Sequence, residues 1–260
     1  MSEEKKECPW CHDTGWIARD VDGLGIAQRC ECIARTHSEQ ALPKAHIPSK
    51  YTTCDLEDNF VIPQQITKEA RGQLQFILAT VKAYAHQFPM RSDPRGLLFY
   101  GANGVGKTHL AVAALRRILD KGHEGRFINY QALLRLIRGS YDQPFGSIER
   151  TAEYDAIEDV QVLLLDDVGS NRVNGWVEDT ITELIAQRHD NERATIVTTN
   201  YSPDREQSVS DKAREVPLEV FPCLADRIGE RATSRLREMC KIIAMPSGLE
   251  DHRGKKEPRR

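Results

Sequence analysis

Eight consecutive residues, Gly101, Ala102, Asn103, Gly104, Val105, Gly106, Lys107 and Thr108, satisfy G-x-x-x-x-G-K-[ST] at every fixed position. Glycines in such a loop let backbone N–H groups turn inward around phosphate oxygens. The lysine can reach the β- and γ-phosphates, and the threonine hydroxyl can ligate Mg2+. His109 follows in the first turn of a predicted helix, whose N-terminus favours an anion. A chance glycine-rich loop is the other reading, and its place between a predicted strand and a predicted helix argues against it. Downstream, V-L-L-L-D-D-V-G puts Asp166 and Asp167 at the end of an apolar run. Asp166 can hold Mg2+ through water and Asp167 can polarise an attacking water. Carboxylates are common at strand ends, so the pair takes its meaning from the phosphate loop before it. Asp167 is one methylene shorter than a Glu in the same role would be. T-I-V-T-T-N ends on Asn200, whose amide can orient a water or the γ-phosphate. A turn-forming Asn before Ser202-Pro203 is its alternative.

Of seven cysteines, four fall in two close pairs near the N-terminus, Cys8-Pro-Trp-Cys11 and Cys30-Glu-Cys32. Two such pairs suit tetrahedral Zn2+, and C-x-x-C is a usual half-site, C-x-C a less typical one. Asp13-Thr14-Gly15 supplies the turn that lets Cys8 and Cys11 face one metal. A redox C-x-x-C would accompany a thioredoxin-like βαβ pattern, and none is near. An iron–sulfur cluster would also use four cysteines; zinc is the expectation. His12 and His37 read as surface residues. Cys54, Cys223 and Cys240 read as packed thiols.

Arginines mark the last third. Arg227, Arg231 and Arg235 are spaced i, i+4, i+8 and would share a face of one helix. A solvated basic face is one reading. An arginine finger presented to a nucleotide on a neighbouring subunit is the other. Asn174-Gly175-Trp176 opens a helix after the paired carboxylates. Trp176 there would staple the helix start; a stacking contact with a base, worth ~1–3 kcal/mol, is what a family resemblance, not the spacing, implies for this helix. Tyr141 is a weaker candidate for the same contact.

The elements that must hold these groups alternate. An apolar pattern at helical spacing runs from Ile62 to Phe88 and is closed by Pro89. Predicted strands follow at Leu97–Tyr100, Arg126–Tyr130, Val162–Leu165, Ala194–Thr199 and Lys241–Met245. Between them lie helices at Thr108–Leu119, near Ala132–Arg138, at Trp176–His189 and over most of Leu218–Met239. This alternation predicts an α/β fold with a parallel sheet. The 260 residues carry 36 Lys and Arg against 39 Asp and Glu, a formal net charge of −3. That balance gives no sign of nucleic-acid binding. It conceals a basic end, for residues 227–260 hold ten Lys and Arg against five Asp and Glu. No apolar run approaches the ~20 residues of a membrane span. No signal-peptide core opens the chain, and the expected location is the cytoplasm.

Together these residues resemble the AAA+ helicase-loader family of the DnaC/DnaI type, with its relative IstB, a transposition helper ATPase. The likeness runs from about Ile47 to Arg253. IPSKYTTCDLEDNF resembles the family's lead-in, GANGVGKTHLAVA its Walker A segment, LLLDDVG its Walker B and TTN its sensor-1 strand. DRIGERATSRLREMC is similar to the arginine-finger helix, and GLEDHR to the sensor-2 segment. The resemblance implies ATP and Mg2+ as cofactors. It makes Asp167 and Asn200 catalytic, Arg235 the finger acting in trans, and Arg253 the residue approaching the γ-phosphate. It implies a P-loop AAA+ core with a five-stranded parallel sheet and no C-terminal helical lid, preceded by a four-cysteine zinc module. The expected division is 1–40 zinc module, 41–60 connector, 61–253 ATPase core and 254–260 basic tail. The expected partners are the hexameric replicative DNA helicase, single-stranded DNA and further copies through the ATP site, with no membrane. ATP hydrolysis is expected to be slow and stimulated by assembly or DNA. IstB-type helpers generally lack a cysteine-rich module, which tilts the resemblance toward a loader. An IstB-like helper on double-stranded DNA is the second expectation, and a nucleotide-dependent binding switch with negligible hydrolysis the third.

Overall fold

The computed structural model describes residues 8–12, 14–21, 24–30, 41–57, 59–63, 65–139, 152–171, 175–205, 222–247 and 249. An antiparallel hairpin comes first, β1 (Trp16–Val21) against β2 (Leu24–Arg29), with Trp16 opposite Arg29. The sequence reading contains no strand here, because the ribbon shows no clean alternation of apolar and polar residues.

The segment expected as a connector is built into the core. It forms a helical turn at 41–44 and a 3-10 turn at Ser49–Tyr51. It buries Ala45, Cys54 and Leu56 in the main hydrophobic cluster. Helix α1 (Lys68–Gln87) then starts on Thr67, whose hydroxyl accepts from Ala70 N at 3.2 Å. It buries Ala70, Leu74, Ile77, Val81, Tyr84 and Ala85 along one stripe. It ends where Pro89 removes the next backbone donor.

The rest is the expected α/β unit. Its elements are β3 (Gly96–Tyr100), α2 (Lys107–Leu119), β4 (Gly125–Asn129), α3 (Tyr130–Gly139) and α4 (Ala152–Asp159). There follow β5 (Val162–Val168), α5 (Gly175–Asp190), β6 (Ala194–Thr199), α6 (Ala225–Ile228), α7 (Glu230–Met239) and β7 (Cys240–Ala244). The sheet has five strands, all parallel, in the order β4-β5-β6-β3-β7. Alternate strand residues feed two cores. Leu97, Phe99, Val162 and Leu164 pack with α1 and α2, while Leu98, Leu163 and Leu165 pack with α3 to α7. From β3 the chain passes to β4 at the far edge, so strand order reverses beside β3. That switch point opens a crevice at the carboxyl ends of β3 and β6, where ligands of such sheets bind.

Arg188 of α5 is fully buried. Its Nη1 donates to the carbonyls of Ile157, Glu158 and Val160, its Nη2 to that of Ala194, and its Nε to Thr195 Oγ1. Burial lowers its pKa to about 9.

One expectation is corrected. The C-terminal helix is two helices broken at Gly229, which has φ +87° and ψ 155°. That region is essentially reserved for glycine. Arg227 therefore lies on α6, apart from Arg231 and Arg235 on α7, and the three do not share one helix face. Among the described residues no helix is long and apolar enough to cross a membrane.

Candidate functional site

The phosphate loop leaves β3 after Tyr100 and enters α2 at Lys107. Gly101, Gly104 and Gly106 have φ of +140°, +75° and +97°, and these positive angles turn the loop back on itself. Ala102 and Asn103 are exposed on the loop, and Val105 is buried beneath it. Lys107 Nζ donates to Gly101 O at 2.9 Å, Ala102 O at 2.6 Å and Asn200 Oδ1 at 2.8 Å. Asn200 Nδ2 donates in turn to Asp167 Oδ1 at 3.1 Å. Three residues picked from three separate segments thus form one chain of hydrogen bonds. Thr108 Oγ1 donates to Asp166 Oδ1 at 2.7 Å, joining the two groups expected to serve Mg2+.

The carboxylates owe their positions to an irregularity in β5. Leu165 pairs with Val197 and Val168 with Thr199, so Asp166 and Asp167 together face the single residue Thr198. This is a β-bulge, which re-aims side chains beside a site. Thr198 serves both acids: its hydroxyl donates to Asp166 Oδ1 at 2.7 Å and accepts from Asp167 N at 2.9 Å. Asp167 sits at φ +61°, a left-handed conformation that Asp tolerates better than most residues. Sequence reasoning missed Thr198. The available signal was its place two residues before Asn200 on a strand, which puts both side chains on one face.

His109 faces away from the loop toward the lead-in segment. Its Nε2 lies 3.3 Å from Asp55 O, and its ring is 5.5 Å from that of Phe60. The Asp55 carbonyl only accepts, so Nε2 carries the proton. Burial holds this histidine below its ordinary pKa. Phe60 also closes over the loop, for a Cβ on Gly106 would come within 3.0 Å of its ring. On α7, Arg231 is exposed and Arg235 half-buried. Arg253, Cys32, Asn174, Tyr141, His37 and the side chain of Trp176 lie outside the described residues.

Cys8, Cys11 and Cys30 are buried together, their sulfurs all within 4.8 Å of one another. Cys8 Sγ and Cys30 Sγ are 3.7 Å apart. Zn–S bonds of ~2.3 Å at a tetrahedral centre require sulfurs about 3.8 Å apart. Gly15 N donates to Cys11 Sγ at 3.3 Å, and Cys30 N to Gly15 O at 2.8 Å. An amide donor of this kind steadies a thiolate ligand. The donor set fits Zn2+, and the loop, Thr108 and Asp166 fit ATP with Mg2+.

Comparison with known proteins agrees with this geometry. Residues 87–214 match the family model of the IstB-like ATP binding protein. The replicative helicase loader DnaI of Bacillus subtilis is 27% identical over 217 residues, which cover 78% of this chain and 67% of DnaI. A putative ATP-binding protein in an insertion sequence of Mycobacterium tuberculosis is 30% identical over 109 residues, 42% of this chain and 41% of that protein. The crystal structure of the DnaC helicase loader superposes with a TM-score of 0.59 at 28% identity, covering 76% of this chain and all of that one. The chain carries an IstB/DnaC-like AAA+ ATP-binding domain and is homologous to the DnaI and DnaC helicase loaders.

Proposed function

We propose that this protein is an ATP-dependent loader of a replicative helicase. The observation that carries the reading is the alignment with DnaI, which spans 78% of the chain and so reaches well beyond the matched ATPase family segment. In this reading the cysteine module, residues 1–40, binds the hexameric helicase, and the core binds ATP and single-stranded DNA. Trp176 and Asn174 are the proposed DNA contacts. Copies of the chain associate through the ATP site in the cytoplasm.

The ATP phosphates rest in the loop 101–108, with Lys107 moving from the loop carbonyls to the β- and γ-oxygens. Mg2+ held near Thr108 and Asp166 neutralises charge on the phosphates when bound. Asp167 takes the polarising role toward water, with Asn200 orienting it. Arg235 completes the site of a neighbouring copy, and Arg253 approaches the γ-phosphate. Zn2+ held by Cys8, Cys11, Cys30 and Cys32 fixes the fold of the module.

Pull-down of the cognate replicative helicase tests the loader reading. Capture by the full chain and loss of capture without residues 1–40 is the expected result. No capture with or without ATP sinks it. Single-turnover ATP hydrolysis that disappears in Lys107→Ala and Arg235→Ala supports the ATPase step and excludes a binding switch without turnover. Metal analysis is expected to give about one zinc per chain, and a fully folded metal-free module would refute that assignment. The insertion-sequence relative favours a second reading, a transposition helper on double-stranded DNA. ATP-dependent filaments on duplex DNA, with no helicase affinity, would establish it instead.

A further inference from the structure

Each residue from Tyr201 to Arg205 is bound to the C-terminal helices or to the residues leading into them. The Arg227 guanidinium lies over the Tyr201 ring, 4.4 Å from its centre, and also donates to the Tyr201 hydroxyl. Ser202 O accepts from Leu224 N at 2.8 Å. Pro203 O accepts from Arg237, whose Nε lies 3.2 Å from Asp204 Oδ1. Arg205 Nη2 meets Asp226 Oδ1 at 2.6 Å. The strand end that presents Asn200 is therefore continuous, through side chains and backbone, with the unit α6–α7.

Arg227 reaches a second strand end as well. A Cβ on Gly169 would lie 3.0 Å from Arg227 Cβ and 3.1 Å from the Tyr201 ring. Only glycine at 169 lets the arginine stem lie flat on the turn that follows Asp167. Arg227 thus packs against the turns after both Asp167 and Asn200, the polar pair that meets Lys107. Shortly after Arg227 comes Gly229, the pivot into α7. Glu178 of α5 fills the space where a side chain at 229 would go. Arg227 Nε, Ser170 Oγ and Tyr130 Oη are buried and have no hydrogen-bond partner among the described residues.

We propose that Arg227 is a positioning residue that fixes Asn200 and Asp167 through Tyr201 and Gly169, and joins them as one body to the helix carrying Arg235. The state of the nucleotide site is thereby passed to α7 of the same chain, where Arg235 serves a neighbour. The inference rests on the ATPase reading above. A clamp suits the task because the groups that orient a water must be held closely, and a displacement of about 1 Å costs about a hundredfold in rate. Lysine at 227 would keep a cation over the ring and lose the planar fork that also reaches the hydroxyl.

The test compares the full chain with Arg227→Ala, Arg227→Lys and Tyr201→Phe. Amide exchange over 230–239 is followed with and without Mg-ATP, beside ATP affinity and single-turnover hydrolysis. In the wild type ATP is expected to slow exchange in α7. Arg227→Ala is expected to abolish that response and to lower hydrolysis at least ~10-fold, with ATP affinity within twofold. Arg227→Lys and Tyr201→Phe are expected to fall between. An α7 response unchanged in Arg227→Ala, or absent in the wild type, overturns the proposal. So does a fall in hydrolysis matched by an equal fall in ATP affinity. If Arg227→Ala does not fold, the other two variants decide, and wild-type behaviour in both overturns it. A wild type that never hydrolyses ATP, yet shows an Arg227-dependent response in α7, refutes the ATPase reading and leaves the mechanical link standing.

Discussion

Thr198 shows how much of a site can hang on a residue with no chemistry of its own. Its single hydroxyl fixes Asp166 and receives the Asp167 amide, because the bulge brings both to it. Thr198→Val keeps the shape and removes both bonds. The expected loss is about 1–3 kcal/mol of stability, read from a urea midpoint, together with slower ATP hydrolysis. The phosphate loop was legible in the sequence because its chemistry is carried by spacing alone. Thr198 was not, because its role arises only when two strands pair out of register. The left-handed backbone at Asp167 was equally invisible, yet it offers a reason for the shorter acid: Asp enters that conformation more easily than Glu. His109 gives a pH prediction at the same scale. Desolvation lowers its folded pKa below the unfolded 6.5, so the unfolded state binds more protons in that window. Its contribution is present above the unfolded value and is lost as pH falls through the folded one. Thermal melts from pH 7.5 to 5.5 are expected to show a fall in the wild type that His109→Gln lessens.

At the level of elements, the five strands and the helices α1, α2, α3 and α5 were readable from apolar runs and helical spacing. Beyond the hairpin β1–β2, two features were not. Helix α4 is short and acidic and buries only Tyr154 and Ile157, too few for a periodic signal. The break between α6 and α7 was hidden because the apolar residues Ile228, Ala232 and Leu236 keep helical spacing straight across it. All three are buried, so the core is served although the backbone is not continuous. Gly229→Ala would force a side chain into a glycine-only conformation and against the Glu178 carboxylate. The expected cost is about 1–3 kcal/mol or more, measured by denaturant unfolding. A smaller change would mean that the two helices re-join as one.

For the whole molecule, the segment between the cysteine cluster and α1 is the largest departure from a reading of modules joined by a linker. Composition marks it as mixed and polar, but composition does not show what it lies against. Its backbone carbonyl at Ala45 accepts from Phe127 N on the edge strand β4. Arg116 of α2 donates to Cys54 O, Glu57 pairs with Lys82 of α1 at 2.6 Å, and Phe60 roofs the phosphate loop. The segment leading from the module proposed to hold the helicase therefore touches the place proposed to hold ATP.

Arg188 has a bearing on the order of events when the chain folds. Its acceptors come from the end of α4, the loop after it and the start of β6, so its bonds close only when all of these have met. An interaction that completes late lies on the native side of the folding barrier. Arg188→Met leaves several buried carbonyls without their donor and is expected to cost about 3–5 kcal/mol, and to do so almost wholly by hastening unfolding, by about two to four orders of magnitude, with the refolding rate little changed. Stopped-flow chevrons read both arms. The guanidinium at the foot of the sheet would then act as a latch on lifetime: it sets how long a folded molecule persists rather than how quickly one is made.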